Sequence, residues 1–177
     1  MNTLLASGPD FDQPIAVLKH CHDKIRKQLL TLQKLAQHLP SAGADNEAQE
    51  AASAVLRYFR EAAPNHHADE EQDLLPMLQA TAVGEDLNLL QRLQPEILHE
   101  HHEMDLIWVK LMIQLDGIVA GKVSELDVDH VMQFCALYTA HMEKEEGNIA
   151  PMAKRLFSSE QMQSLGQAMR RRRNIES

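Results

Sequence analysis

Cysteine, glycine, proline and aromatic residues are all scarce in this chain. Its 177 residues hold two cysteines, seven glycines and seven prolines, and Phe, Trp and Tyr together make up 4 %. Two cysteines, Cys21 and Cys135, cannot staple a disulfide framework and read as reduced thiols. So few turn-formers, with β-branched residues rarely clustered, argue for helix almost throughout. No apolar run approaches the roughly 20 residues that a bilayer-crossing helix needs. The opening MNTLLASGPDFDQP lacks a basic region followed by a long apolar one, so no secretory leader is expected and the location expected is cytoplasmic. A net charge of −9, with histidines counted neutral, leaves no basic face for nucleic acid. The one basic block, Arg170–Arg173, reads as cations favoured by the negative end of a helix.

Hydrophobic residues, at 44 %, are plentiful enough for one domain with a sizeable core, taken as residues 1–177. Ile15, Leu18, Ile25, Leu29, Leu32, Leu35 and Ala36 recur at spacings of three and four, predicting a helix over 13–39 that Pro40–Gly43 ends. A second helical segment spans 46–79, with Pro64 expected to kink or interrupt it. After a linker around Gly84, a third helix is predicted from about Pro95 to Ile118. A fourth runs from about Asp127 to Phe157, opened by the caps of Asp-Val-Asp. Ser158-Ser159-Glu160 starts a short fifth helix ending near Arg173. Four long helices with short connections predict an all-α, antiparallel up-down four-helix bundle with a short extra C-terminal helix.

Histidine is abundant where other residues are scarce. There are ten, and seven fall in three clusters: His20/His22, His66/His67 and His99/His101/His102. Clustering at helical spacing points towards metal. One pattern occurs twice. HHADEEQDLLP at 66–76 and HMEKEEGNIAP at 141–151 share H-x-x-x-E-E-x-x-x-x-P. Positions four apart share a helix face, so His66 points with Glu70 and His141 with Glu145. The first and third helices repeat more faintly, as His20-x-His22-x-x-Ile25 and His99-x-His101-x-x-Met104. Two His–Glu pairs with His22 and His101 place four imidazoles and two carboxylates inside a bundle. That mix suits iron, and a carboxylate can bridge two ions; thiolates, favoured by structural zinc, are missing from it. Glu-x-x-His occurs once, at Glu96–His99, which excludes the ferritin-type arrangement. No zinc-protease motif or phosphate loop is present.

These elements resemble the hemerythrin-like (HHE cation-binding) family. HHADEEQDLLP and HMEKEEGNIAP look like its second- and fourth-helix motifs, CHDKI at 21–25 like its first-helix histidine, and EHHEMDLIW at 100–108 like its third-helix element. The tail GQAMRRRR resembles the ending of a proteobacterial single-domain branch. The resemblance covers roughly 11–173. It implies a four-helix bundle around two non-haem iron ions, oxo- or hydroxo-bridged, with ligands His22, His66, Glu70, His101, His141 and Glu145. Oxygen-carrying hemerythrins place two histidines four apart on the third helix. Here His101 has Ile97 before it and Asp105 after it at that spacing. The candidate for a seventh ligand is His67; the alternative is an open position for a small molecule.

The function expected is therefore a metal- and oxygen-binding protein rather than an enzyme, taking up oxygen or another diatomic such as nitric oxide, or storing iron. Nitric-oxide or peroxide handling, or iron–sulfur repair, stands as the alternative, and a metal-free structural bundle stands third. No nucleic acid or membrane partner is expected, and the oligomeric state is left open. Of the other residues, Asp69, Glu71 and Glu146 read as acids beside the ligands or in solvent. Tyr58, Phe59, Trp108 and Tyr138 read as core, and Met162 and Met169 as the seat of the last helix. Pro76 and Pro151 are expected to kink or end their helices just beyond the metal layer.

Overall fold

The computed structural model describes residues 10–175; the leader reading falls largely on 1–9, outside the described residues. Helix α1 is Pro14–Ala42. Helix α2 is a composite run of Asn46–Arg57, Ala63–Asp69 and Leu75–Thr81, joined by wide π turns at Tyr58–Ala62 and Glu70–Leu74. Helix α3 is Gly84–Val119. Helix α4 joins Val128–Lys144 to Ala150–Leu156 through a third π turn, Glu145–Ile149. Helix α5 is Ser159–Arg172. No strand occurs among the described residues, and no helix is long and apolar enough to cross a membrane.

The start signals act as expected. The Asp45 and Asp127 side chains accept from the backbone N–H groups of Ala48 and His130, and Ser158 forms a capping box with Gln161. Two boundaries differ from expectation, each at a proline. Helix α1 runs past Pro40 to Ala42, because a proline in the last turn removes a single donor there. Helix α3 begins at Gly84, not near Pro95. Pro95 and Gln91, whose carbonyl the ring deprives of a partner, both lie on the exposed face where water can serve. Pro64, Pro76 and Pro151 end no helix. Each follows a π turn, which falls where a proline would otherwise cost a regular α-helical bond.

Packing follows from the apolar stripes. Helix α1 lies along α2 and α4, and α3 lies along α2 and α4, so the four long helices close a ring. Inside it are two apolar clusters. One gathers Ile25, Leu32, Phe59, Met104, Leu111 and Phe134; the other gathers Leu18, Leu75, Leu78, Ile97, Ile149 and Met152. Read along any helix, the proposed ligands fall between residues of the two clusters: His22 between Leu18 and Ile25, His101 between Ile97 and Met104. A polar layer thus separates two dry halves of the core.

Helix α5 closes the second half, burying Leu165, Gly166 and Met169, with Met162 packed alongside. A Cβ on Gly166 would clash with the Phe11 carbonyl oxygen, and that atom belongs to backbone. Gly166→Ala is therefore expected to lower thermal stability by about 1–3 kcal/mol through overpacking, measured by thermal unfolding. An unchanged melting temperature would contradict this close approach.

Candidate metal centre

Six side chains are brought together in the polar layer, one histidine from each long helix and one glutamate from each of α2 and α4. All are buried: His22, His66, Glu70, His101, His141 and Glu145. Their inward atoms form two overlapping groups. His22, His66, Glu70 and Glu145 converge in one, and Glu70, His101, His141 and Glu145 in the other, with the donor atoms of each group within 4.8 Å of one another. Both carboxylates belong to both groups. His66 Nε2 lies 3.1 Å from Glu70 Oε1, and His101 Nε2 lies 3.4 Å from Glu70 Oε2. His22 Nε2 and His141 Nε2 lie 3.2 and 3.4 Å from Glu145 Oε2.

The outward nitrogens explain how these rings are aimed. His22 Nδ1 faces Glu146 at 2.9 Å, His101 Nδ1 faces Glu71 at 2.6 Å, and His141 Nδ1 faces Glu100 at 2.8 Å. A ring that donates Nδ1–H to a carboxylate presents an Nε2 lone pair inward, the form a metal requires. These acids are fixed in turn: Glu146 accepts from Arg26, and Glu100 from Lys144. Each contact crosses to a neighbouring helix, α4 to α1, α2 to α3 and α3 to α4. The Glu-Glu doublet therefore splits its tasks. The first glutamate points into the layer; the second orients a histidine of the next helix.

The residues present fit bound cations. His101 Nε2 and His141 Nε2 approach to 3.1 Å although both Nδ1 atoms face carboxylates, so two lone pairs confront each other unless a cation or proton lies between them. His22 Nε2, Glu70 Oε2 and both Glu145 oxygens are buried without a hydrogen-bond partner among the described residues. Such groups are costly to bury unless something positive satisfies them. The proton affinities agree. Burial presses the His22 value down, but the nearby carboxylates of Glu145 and Glu70 outweigh it and lift it to about 10. Burial is likewise outweighed at His101, which Glu70 and Glu71 lift to about 9. His66 instead falls below its ordinary value, chiefly through burial.

His67 stands outside both groups. Its ring stacks on His101 with centroids 4.0 Å apart, and its Nε2 lies 3.4 Å from the Tyr138 hydroxyl. His67→Ala is expected to keep the full metal complement and the visible spectrum of the loaded protein; loss of one metal ion would reinstate His67 as a ligand. Beneath it, Phe59, Trp108, Phe134 and Tyr138 form one aromatic cluster, the core role read for them from sequence. Tyr58 packs against the same core, edge-on to Phe59, and its hydroxyl donates to the Cys21 carbonyl. Cys21 and Cys135 are free, and burial raises both thiols, which keeps them out of the thiolate form.

Sequence reasoning missed Glu100. It stands directly before His101, but its partner His141 is on another helix, and no spacing rule reports that. Asp69 and the arginine run need correction. Asp69 is fully buried and touches no histidine nitrogen; Arg172 and Arg173 bind it instead. Arg170 reaches Asp10 and Asp12. The run is a set of specific ion pairs as well as a favourable helix end.

On the open side, a cavity of about 350 Å³ reaches His22, Glu70 and Glu145 between Ile15, Leu18 and Ile149. Residues 13–153 match the model of the hemerythrin HHE cation-binding domain. An uncharacterized protein of Haemophilus influenzae is 28 % identical over 168 residues, covering 94 % of this chain and 93 % of that one.

Proposed function

From the premise that this chain belongs to the hemerythrin HHE cation-binding family, we propose that it is a non-haem di-iron protein which binds or senses oxygen or another small diatomic. The observation that carries this reading is the sharing of Glu70 and Glu145 between two histidine pairs. His22 and His66 would hold one ion, His101 and His141 the other, and both carboxylates would bridge them, within an antiparallel up-down bundle. Iron suits four imidazoles and two carboxylates better than structural zinc does. Bound iron supplies reversible electron donation to a small ligand.

The chain's own residues define where such a ligand enters. The cavity reaches His22, Glu70 and Glu145, and Ile15, Leu18, Leu74 and Ile149 give it apolar walls that admit a small apolar molecule, beside the charged side chains of Lys19, Glu146 and Lys154. The opposite side is covered by the ring of His67 against His101. Glu146, Glu71 and Glu100 hold the imidazoles in the ligating tautomer. The thiols do not contribute, and binding rather than turnover is the activity proposed, in a cytoplasmic setting.

The test is metal content per chain after aerobic purification, with the visible spectrum before and after reduction. Two irons per chain, with a charge-transfer band that bleaches on reduction and returns with oxygen, are expected. Zinc without such a band, or metal well below two per chain, would overturn the reading in favour of a structural bundle.

A further inference from the structure

Asp69 immediately precedes Glu70 and is wholly buried. A buried carboxylate without partners is strongly destabilising. Here Arg172 Nη1 donates to its Oδ1, and Arg173 donates through Nη2 to Oδ2 at 2.6 Å and through Nη1 to Oδ1 at 3.1 Å. Arg172 reaches further, to Asp73 Oδ2 at 2.6 Å and Gln72 Oε1 at 3.2 Å. One guanidinium therefore ties together side chains before and after Glu70, across the π turn Glu70–Leu74. That turn sets the direction in which Glu70 leaves its helix. Both arginines lie beyond residue 153, where the match to the family ends.

The second half of the chain supplies an internal comparison. Aligning Glu70 with Glu145 places Asp69 opposite Lys144. Lys144 is also anchored across an interface by opposite charge, to Glu96 at 2.9 Å and to Glu100. Each ligand glutamate is thus preceded by a charged residue pinned to another element. For Glu145 that element is α3; for Glu70 it is the C-terminal helix α5.

We propose that Arg172 and Arg173 are positioning residues of the metal centre, holding through Asp69, Gln72 and Asp73 the turn that presents Glu70. This rests on the reading of Glu70 as a metal bridge. It makes α5 part of the centre, beyond its service as a lid on the apolar core.

The test uses the full chain, cobalt(II) as the probe, and two readouts: the affinity for the second equivalent of cobalt and the visible ligand-field spectrum. Arg172→Gln and Arg173→Gln are expected to weaken that affinity 10- to 100-fold, as outer contacts of metal sites do, and to alter the spectrum. Arg173→Lys keeps the charge but loses the two-pronged contact and should fall between. Met169→Ala loosens the seat of α5 without touching Asp69, and should leave both readouts near wild type at a comparably lowered melting temperature. Should an arginine variant fail to fold, Asp69→Asn probes the same contact at constant shape. Unchanged affinity and spectrum in the arginine variants, or equal changes in Met169→Ala, would overturn the proposal while leaving the two-metal reading intact. A wild-type chain that takes up fewer than two cobalt ions would remove both.

Discussion

Replacing Glu70 and Glu145 together with alanine is expected to abolish two-metal binding while the helices persist. Each carboxylate is common to both ligand groups, so the pair removes four of the eight donor positions at once, leaving two histidines for each ion. Two imidazoles alone hold a metal far less tightly than two imidazoles with two carboxylates, and no group remains to join the two ions. The apolar clusters on either side of the layer remain intact and preserve the helical content. Metal stabilises a fold by mass action, worth about 2.7 kcal/mol at a hundredfold excess over the dissociation constant. That gain should vanish from the thermal unfolding of the double variant, whose far-ultraviolet circular dichroism stays near wild type. Two irons still bound per chain would sink the assignment of the bridges.

Four of the six side chains that converge in the polar layer were legible in the sequence through rules local to a helix. His66 with Glu70 and His141 with Glu145 are four apart, and a four-residue spacing has one geometric meaning. His22 and His101 entered through the faint repeat of the first and third helices and through resemblance. What lay hidden is the level at which helices meet. The Glu-Glu doublet looks redundant in one dimension, yet its second member serves a neighbouring helix in both halves, Glu71 to His101 and Glu146 to His22. Asp69 looked like a third acid of the same kind. Its partners lie about a hundred positions on, in a run whose charge alone suggested a helix end.

The form that the proline interruptions take lay hidden for a related reason. The rule that proline ends a helix assumes an α-helical ladder on both sides. At Pro64, Pro76 and Pro151 the ladder has already widened into a π turn, and two of those turns begin at Glu70 and Glu145. Wide turns gather at functional positions because they redirect a side chain without breaking the helix. The prolines therefore mark the turns, and the motif H-x-x-x-E-E-x-x-x-x-P is one device: an inward histidine, an inward carboxylate, an orienting acid, and a residue that tolerates the displaced register.

Metal affinity is expected to rise with pH, because protons and metal compete for the same nitrogens. In the metal-free protein His22 and His101 bind protons with values near 10 and 9, raised by the carboxylates that would otherwise bridge metal, and His141 is raised too. At pH 7 the His22 and His101 rings are protonated, and metal must expel those protons to reach Nε2. Apparent affinity should climb about tenfold per pH unit for each proton released. The metal-free fold should show the opposite trend. A histidine whose folded value exceeds its unfolded one, near 6.5, contributes stability that is complete below the unfolded value and lost as pH rises through the folded one. That window runs from about 6.5 up to about 10 for His22 and up to about 9 for His101. His66 opposes this only at the acid end, since its lowered value makes protonation unfavourable to the fold. The gap in melting temperature between loaded and metal-free protein should therefore widen between pH 7 and 9.5. Calorimetric titration in buffers of different ionisation enthalpy counts the protons released on binding. No proton release, with an affinity flat across that range, would mean that the inward nitrogens are not where the metal binds.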